Sequence, residues 1–226
     1  MPLIIARQWQ EFFAPEIKKS YFKQLHRRLV SLYRQSTCYP PLEQIFRVFQ
    51  LIAPHQVKVV IIGQDPYYRP RQADGLAFSN GNPQGSLPKS LYNIFRELKQ
   101  DLQIDHFHNG SLVGWVRSGV LLVNTIWSVG AGQPVSHAGL GWQQFTFNLL
   151  TYIVARFHHG KTKLIMVGWG AKAQKIIKQF SHGNVITIFA AHPSPLSYHR
   201  FQNSRPFSRI NHHLLTMHET PIDWSS

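Results

Sequence analysis

Four short runs of mainly apolar residues, rich in Val and Ile, limit the folds open to this chain. Runs of this length and composition are typical of strands that are buried on both faces of a parallel sheet. They lie at residues 57–62, 120–123, 163–167 and 185–189. A chain that buries four such strands needs helices to cover both faces of the sheet.

Helices are predicted where apolar residues recur every three or four positions, as Phe22, Leu25, Leu29 and Leu32 do. These segments cover residues 7–36, 90–102, 143–157 and 171–180. No internal repeat, low-complexity tract or linker interrupts the pattern. We therefore predict an α/β fold with a single domain over residues 1–226, in which helices flank a central four-stranded, mostly parallel sheet as an α/β/α sandwich.

The charge of the chain indicates a polyanionic partner. Among 226 residues, 24 Lys and Arg stand against 10 Asp and Glu, a formal net charge of +14. Nucleic acid is the commonest partner of so basic a chain. A membrane surface would require an amphipathic basic helix or an apolar span, and we find neither a stretch of about 18 apolar residues nor a signal peptide. The single cysteine, Cys38, fits a reducing compartment, so we expect a cytoplasmic protein that is not secreted.

Thirteen histidines raise the question of a metal site. The pairs His158–His159 and His212–His213 are adjacent in sequence, so their side chains point in different directions on any regular element. Acids are scarce and no Cys/His ligand spacing occurs. We predict no metal and interpret these histidines as surface and capping residues.

An Asp, an Asn, a glycine-rich turn and a His follow the four predicted strands. Asp65 comes after the first, Asn124 after the second, the turn at 168–170 after the third and His192 after the fourth. In open α/β sheets, ligands bind beyond the carboxyl ends of the strands. The sequence therefore predicts a site where these residues converge.

Each of these residues has an ordinary structural interpretation when it is taken alone. Asp65 before Pro66 is typical of a turn, and Asn124 could satisfy backbone groups at a strand end. The glycine-rich turn at 168–170 lacks the length and the Lys of a phosphate-binding loop. Phe78 would by default be a core aromatic residue. Their occurrence together at four equivalent strand ends of a basic chain favours a catalytic site over these separate structural roles.

The predicted set suits the cleavage of a glycosidic bond. A carboxylate can stabilise an oxocarbenium-like sugar and orient water. An imidazole can stabilise negative charge on a departing base. An amide can bind the edge of a planar heterocycle, and an aromatic ring can stack on its face.

At these residues the chain closely resembles family 1 uracil-DNA glycosylase. The matching segments follow the order of the family and are GQDPYY (63–68), GLAFS (75–79), LPKSLYNIFREL (87–98), LLVNT (121–125), SHAGLGWQQFT (136–146), GWGAKAQK (168–175) and HPSPLS (192–197). The resemblance implies an enzyme that flips uracil out of DNA and hydrolyses its N-glycosidic bond. The products would be free uracil and an abasic site, which initiates base excision repair.

The resemblance assigns roles to the residues at the strand ends. Asp65 would stabilise the oxocarbenium and position the attacking water, and His192 would donate to uracil O2 as the base leaves. Asn124 would hydrogen-bond the uracil edge, and Phe78 would stack on the ring. Tyr67 would occupy the place of a C5 methyl group and so exclude thymine.

Further residues match family positions near the base or on the DNA. Gln64 would contact the base. The residues implied in DNA binding are Pro88 and Ser90 of the Pro-rich loop, Gly170 and Ala171 of the Gly-Ser loop, and Ser194, Pro195 and Leu196 of the leucine loop. Leu196 would enter the duplex as a wedge where the nucleotide has left.

The chain departs from the family pattern at several of these loops. Tyr68 stands where the family usually has His, so it can donate a hydrogen bond but cannot carry a positive charge. Ala171 replaces a Ser, and LPKS replaces a Pro-Pro-Ser pattern. Lys89 and Lys172 lie next to the altered positions and could replace the lost phosphate contacts. We expect altered contacts with the DNA backbone, together with reduced turnover or a shifted pH profile of activity. Recognition of the base should be retained.

The resemblance also implies a monofunctional hydrolase that needs no metal or cofactor and has no lyase activity. Its partner would be uracil-containing DNA, single- or double-stranded, and the family makes sensitivity to a DNA-mimicking inhibitor protein an expectation. We predict a monomer without membrane association. The alternatives are a low-activity family member that acts mainly as a DNA-binding accessory protein and a glycosylase for another damaged base.

Overall fold

A computed structural model of the protein describes residues 6–82, 85–157 and 162–226. In this part of the chain the strands are β1 (Cys38–Tyr39), β2 (Val59–Gly63), β3 (Val120–Asn124), β4 (Val129–Gly130), β5 (Leu164–Trp169) and β6 (Val185–Ala190). The order β3-β2-β5-β6 forms a four-stranded sheet in which every pair is parallel. The predicted fold class is confirmed, and all four predicted strands are present.

Helices surround this sheet. The α-helices of the described residues are α1 (Gln10–Glu16), α2 (Ser20–Gln35), α3 (Val48–Leu51), α4 (Lys89–Leu102), α5 (Val113–Arg117), α6 (Trp142–Ala155), α7 (Ala171–Ile177), α8 (Tyr198–Phe201) and α9 (Pro206–Thr216). Short 3₁₀ helices lie at Arg7–Trp9, Leu42–Gln44, Pro54–Gln56 and Lys178–Phe180. None of the helices in these ranges is long and apolar enough to cross a membrane.

Two features differ from the sequence prediction. The helix predicted over 7–36 is divided, because α1 ends one residue after Pro15 and Lys19 is extended before α2 begins. The small antiparallel pair β1–β4 and the helices α3, α5, α8 and α9 were not predicted. The pair His158–His159 lies outside the described residues.

The parallel register places the candidate residues at one edge of the sheet. Strands β2 and β3 are wholly buried, and their last paired residues are Gly63 and Asn124. The neighbouring strands β5 and β6 are paired up to Trp169 and Ala190. All four strands therefore end on the same side, where the loops that follow them meet.

Candidate active site

A cavity of about 180 Å³ lies beyond the carboxyl ends of β2, β3 and β6, and we call it the strand-end cavity. Its lining includes eight of the residues that the sequence singled out: Gln64, Asp65, Tyr67, Tyr68, Phe78, Ser90, Asn124 and His192. Pockets for drug-sized ligands usually exceed about 300 Å³. The strand-end cavity is therefore of a size for one small ring.

Asp65 is a half-buried carboxylate with one strong backbone contact. The backbone N–H of Val135 donates a hydrogen bond to Asp65 Oδ2 over 2.7 Å. Burial raises the pKa of Asp65, whereas this hydrogen bond and the positive charge of Lys172 act in the opposite direction. The remaining oxygen, Oδ1, accepts no hydrogen bond from the described residues. It is available to water or substrate.

His192 is held in one tautomer by its own loop. The backbone N–H of Ser194 donates to His192 Nδ1 over 3.0 Å, so the proton of the neutral ring is on Nε2. Ser197 Oγ donates to the backbone oxygen of His192 over 2.7 Å and fixes the turn. Burial lowers the pKa of His192, and the charge of Lys172 lowers it further. The ring is therefore a neutral donor at pH 7.

Asn124 ends β3 with its side chain packed over a glycine. A Cβ atom at Gly63 would lie 2.1 Å from Asn124 Oδ1, so the amide occupies the space that the glycine leaves. Thr146 Oγ1 donates to the backbone oxygen of Asn124 over 3.0 Å. No hydrogen bond joins the side-chain amide to another described residue, so it is free for a ligand.

Gln64 is fixed through its backbone. Its carbonyl oxygen accepts hydrogen bonds from Thr125 Oγ1 over 2.7 Å and from the backbone N–H of Ile126 over 2.9 Å. These contacts join the loop after β2 to the loop after β3. The relative position of the two walls of the cavity is thereby set.

The aromatic side chains of Phe78 and Tyr67 form part of the cavity wall. Tyr67 Oη donates to the backbone oxygen of Phe78 over 2.8 Å, and Phe78 has a positive φ of 66°. The ring of Phe78 lies 5.3 Å from that of Trp169 and 6.4 Å from that of His192, between centroids. Burial raises the pKa of Tyr67, so its hydroxyl stays protonated and keeps donating. Both rings are consequently held in place before any ligand binds.

Six predicted DNA-binding residues do not line the cavity: Pro88, Gly170, Ala171, Ser194, Pro195 and Leu196. Together with Tyr68, Lys89 and Lys172, we call them the rim of the cavity. Leu196 is 91% exposed, more than any other exposed large hydrophobic residue of the described chain. Gly170 has φ +93°, and a Cβ atom there would lie 2.9 Å from the Cβ of His192. The backbone of Gly170 thus lies directly against His192 of the cavity.

The structure adds residues that sequence reasoning missed. Val135 has a positive φ of 62°, which is strained for a β-branched residue, and in this conformation its N–H reaches Asp65. Ile45, Trp127 and Pro134 also line the cavity. A lone Val in a loop carries no sequence signal for such a contact. Among the described residues, no three His, Cys, Asp or Glu side chains could jointly hold a metal ion.

The fold and the cavity together define a class of protein. It is an α/β protein with a small pocket beyond its strand ends, in which a carboxylate, a neutral imidazole, a free amide and an aromatic ring meet. The chain belongs to the uracil DNA glycosylase superfamily, whose family model matches residues 49–215. The predicted family is confirmed.

Similar proteins cover nearly the whole chain. "Uracil-DNA glycosylase" of Enterococcus faecalis is 41% identical over 225 residues, which are 99% of this chain and 97% of that protein. The protein of the same name from Deinococcus deserti is 40% identical over 99% of this chain and 89% of its own.

Solved structures show the same fold. Mimivirus uracil-DNA glycosylase superimposes with a TM-score of 0.89 at 29% identity, covering 98% of this chain and 88% of its own. A variant of the mimivirus enzyme, solved in complex with UGI, superimposes with a TM-score of 0.88 at the same identity, over 98% and 89% of the two chains.

Proposed function

We propose that this protein is a uracil-DNA glycosylase that flips uracil out of DNA and hydrolyses its N-glycosidic bond. The observation that carries the proposal is the convergence of Asp65, Phe78, Asn124 and His192 on one cavity of about 180 Å³. The shared name of relatives at about 40% identity supports the same activity. The products are free uracil and an abasic site, which initiates base excision repair.

Asp65 acts on the sugar. As the base leaves, positive charge develops on the deoxyribose, and the carboxylate stabilises it and orients the attacking water. Opposite unit charges about 4 Å apart at an effective dielectric near 20 attract by about 4 kcal/mol. If this attraction is felt mainly in the transition state, it accelerates the reaction about a thousandfold.

His192 acts on the leaving group. Uracil departs as an anion, and a neutral imidazole donating from Nε2 stabilises the charge on O2. The hydrogen bond from the Ser194 N–H to Nδ1 keeps the donor on the other nitrogen. The lowered pKa of His192 means that this form predominates at pH 7.

Base selection follows from Asn124, Phe78 and Tyr67. The amide of Asn124 accepts from and donates to the uracil edge, while the exocyclic amine of cytosine presents a donor where the amide offers its own. Phe78 stacks on the ring. Tyr67, fixed by its hydrogen bond to Phe78, fills the place of the C5 methyl group of thymine.

The rim binds the DNA on either side of the flipped nucleotide. In this proposal the Pro-rich, Gly-Ser and leucine loops hold the backbone on either side of the flipped nucleotide, and Leu196 fills the gap in the duplex. An apolar wedge compensates part of an unstacking cost of a few kcal/mol. The exposure of Leu196 supports this role, because the side chain has little contact with the protein itself.

The remaining features are proposed together. The enzyme acts as a monomer, forms one domain over residues 1–226, works in the cytoplasm, and uses water without a metal, a cofactor or a lyase step. It accepts single- and double-stranded DNA and is sensitive to a DNA-mimicking inhibitor protein. A low-activity accessory role is not favoured, because Asp65, Asn124 and His192 are all in place in the cavity.

The direct test is incubation of the protein with a uracil-containing oligonucleotide in EDTA. We expect free uracil and an abasic strand, without strand cleavage. Absence of abasic product over a wide range of enzyme concentrations would end the proposal. A thymine-containing strand of the same sequence is the negative control.

Base selection is tested with Tyr67→Ala, which should release thymine because the ring that fills the C5 space is gone. Tyr67→Phe is the matched control, since it keeps the ring and loses only the hydrogen bond to Phe78. If Tyr67→Ala leaves thymine untouched, the steric explanation is wrong.

A further inference from the structure

A groove outside the strand-end cavity runs between α4 and the loop that leads into α8. It encloses about 320 Å³. Its described lining residues are Leu87, Lys89, Tyr92, Asn93, Arg96, Pro195 and Tyr198, and we call it the α4–α8 groove. Neither the roles assigned above nor the reaction itself uses Tyr92, Arg96 or Tyr198.

Aromatic rings and a guanidinium form the walls of this groove. The Arg96 Cζ atom lies 4.6 Å from the ring centroid of Tyr198, which is a cation–π geometry. Tyr92 is 47% exposed, and its ring contacts Phe107 at a centroid distance of 5.1 Å. Two supported aromatic side chains and a planar cation therefore line one open groove.

The charge of the groove is entirely positive. Lys89 and Arg96 are the charged residues of its described lining, and neither forms an ion pair with a described carboxylate. The nearby Glu97 is buried and accepts hydrogen bonds from the backbone N–H groups of Asn203 and Arg205, over 2.9 and 2.8 Å. The two cations are thus available to an anion from outside the protein.

The groove adjoins the strand-end cavity through shared wall residues. Leu87 and Lys89 also line an outer groove of about 370 Å³, whose lining includes Tyr67, Tyr68 and Ser90. These last three residues in turn line the strand-end cavity. A ligand chain can therefore extend from the cavity across residues 86–90 and into the α4–α8 groove.

The opposite wall of the groove is the leucine loop. Pro195 lies in the wall, directly before the exposed Leu196. Asn93 Nδ2 donates to the backbone oxygen of Pro193 over 2.8 Å in a buried hydrogen bond, which fixes the loop against α4. The width of the groove is therefore set by the protein before a ligand binds.

We propose that the α4–α8 groove binds the nucleotides that flank the flipped uridine, as a stacking platform for an unpaired stretch of strand. Bases stack on Tyr92 and on the Arg96–Tyr198 pair, and phosphates contact Lys89 and Arg96. Exposed aromatic rings beside unpaired cations are the combination that binds single-stranded nucleic acid without sequence preference. This inference rests on the proposed function only in taking DNA as the substrate.

The test measures the affinity for uracil-free thymidine oligonucleotides of four and twelve nucleotides by fluorescence anisotropy. The variants are Tyr92→Ala, Arg96→Gln and their combination. The ratio of the affinity for twelve nucleotides to the affinity for four nucleotides should fall about tenfold in the double variant. A loss of this size corresponds to one stacked base. Arg96→Gln should also lower the slope of log affinity against log salt by about 0.7.

Matched controls come from α6 and the residue that follows it. Phe147→Ala removes a ring that is 38% exposed and lies 5.2 Å from Phe180, as Tyr92 lies beside Phe107. Arg156→Gln removes a guanidinium 5.6 Å from the ring of Tyr152. Both should bind like the unchanged protein. Tyr92→Phe, which keeps the ring, should do so as well.

Two outcomes would overturn the inference. The first is that the groove variants bind twelve nucleotides like the unchanged protein, and the second is that they lose equal affinity for four and for twelve nucleotides. The probe contains no uracil, so the binding test does not depend on excision. If the groove variants lose affinity only for the longer strand while the unchanged protein releases no uracil in the excision assay, the binding role of the groove is supported and the proposed function is refuted.

Discussion

The floor of the strand-end cavity, which consists of Asp65, Asn124 and His192, differs from its rim in how tightly the residues are held. On the floor, Asn124 is nearly buried and packs against the backbone of Gly63. On the rim, Tyr68, Lys89 and Ala171 are exposed. Tyr68 and Ala171 are two of the positions where the chain departs from the family pattern. The floor residue is thus fixed by packing, whereas these rim side chains have room to move.

The two regions also differ in the physical effect that they contribute. The floor supplies a fixed carboxylate, amide and imidazole in a partly desolvated space, where electrostatic interactions are strong. The rim supplies exposed charges and an apolar wedge, whose contributions are screened by salt and individually small. Substitutions on the floor should therefore have larger effects on excision than those on the rim.

The largest effect is expected for Asp65→Asn on the floor. The amide keeps an oxygen for the Val135 N–H but loses the negative charge, so kcat should fall about a thousandfold while DNA affinity changes little. Single-turnover excision and anisotropy measure the two quantities. Asp105→Asn, on an exposed carboxylate paired with Lys99, is the matched control. Equal losses in rate and affinity would contradict the assigned role.

The next largest effect is expected for Gly63→Ala. The new Cβ atom would lie 2.1 Å from Asn124 Oδ1, so the amide must leave its position, and excision should fall about tenfold to a hundredfold. Gly139→Ala is the control, because its φ of +78° makes the substitution strained although no atom lies within 4 Å. Both variants should lose thermal stability, and only Gly63→Ala should lose activity. A similar loss of activity in both would refute the argument.

The strand ends could be predicted from the sequence because each is marked by a short apolar run and by the residues that directly follow it. The apolar runs give β2, β3, β5 and β6, and the parallel arrangement brings the following loops to one edge. The tautomer of His192 could not be predicted, because it depends on where the Ser194 N–H points. The roles of the individual site residues stay predictions until they are measured.

The elements that sequence reasoning missed depend on contacts between distant residues. The β1–β4 pair joins Cys38 to Gly130 across 92 positions, and two residues per strand are too few to give a periodic pattern. The contact of Val135 with Asp65 spans 70 positions and requires a backbone conformation that Val rarely adopts. Such features follow from tertiary packing, and no local pattern encodes them.

A smaller effect, visible mainly at acidic pH, is expected for Lys172→Met on the rim. Excision requires Asp65 ionised and His192 neutral, so it is lost as the pH falls through either pKa. The charge of Lys172 lowers both pKa values, and its removal raises both. The acidic limb of the kcat/KM profile should therefore move to higher pH.

Lys175→Met is the matched control for this shift, because Lys175 is another exposed lysine of α7. Its profile should coincide with that of the unchanged protein. The shift in Lys172→Met should shrink at high salt, since the interaction of an exposed charge is screened. A shift to lower pH, or an equal shift in both variants, would contradict the electrostatic explanation.

The smallest effect is expected for Tyr68→His, which restores the residue usual in the family. Tyr68 is 38% exposed and lines the cavity at its mouth. An exposed imidazolium near DNA phosphates is worth up to about 1 kcal/mol, so excision should rise by at most about fivefold, below pH 6.5 and at low salt. Tyr68→Phe separates the charge from the hydroxyl. If Tyr68→His gives a large, pH-independent increase, then position 68 belongs functionally to the floor, and the distinction between floor and rim fails there.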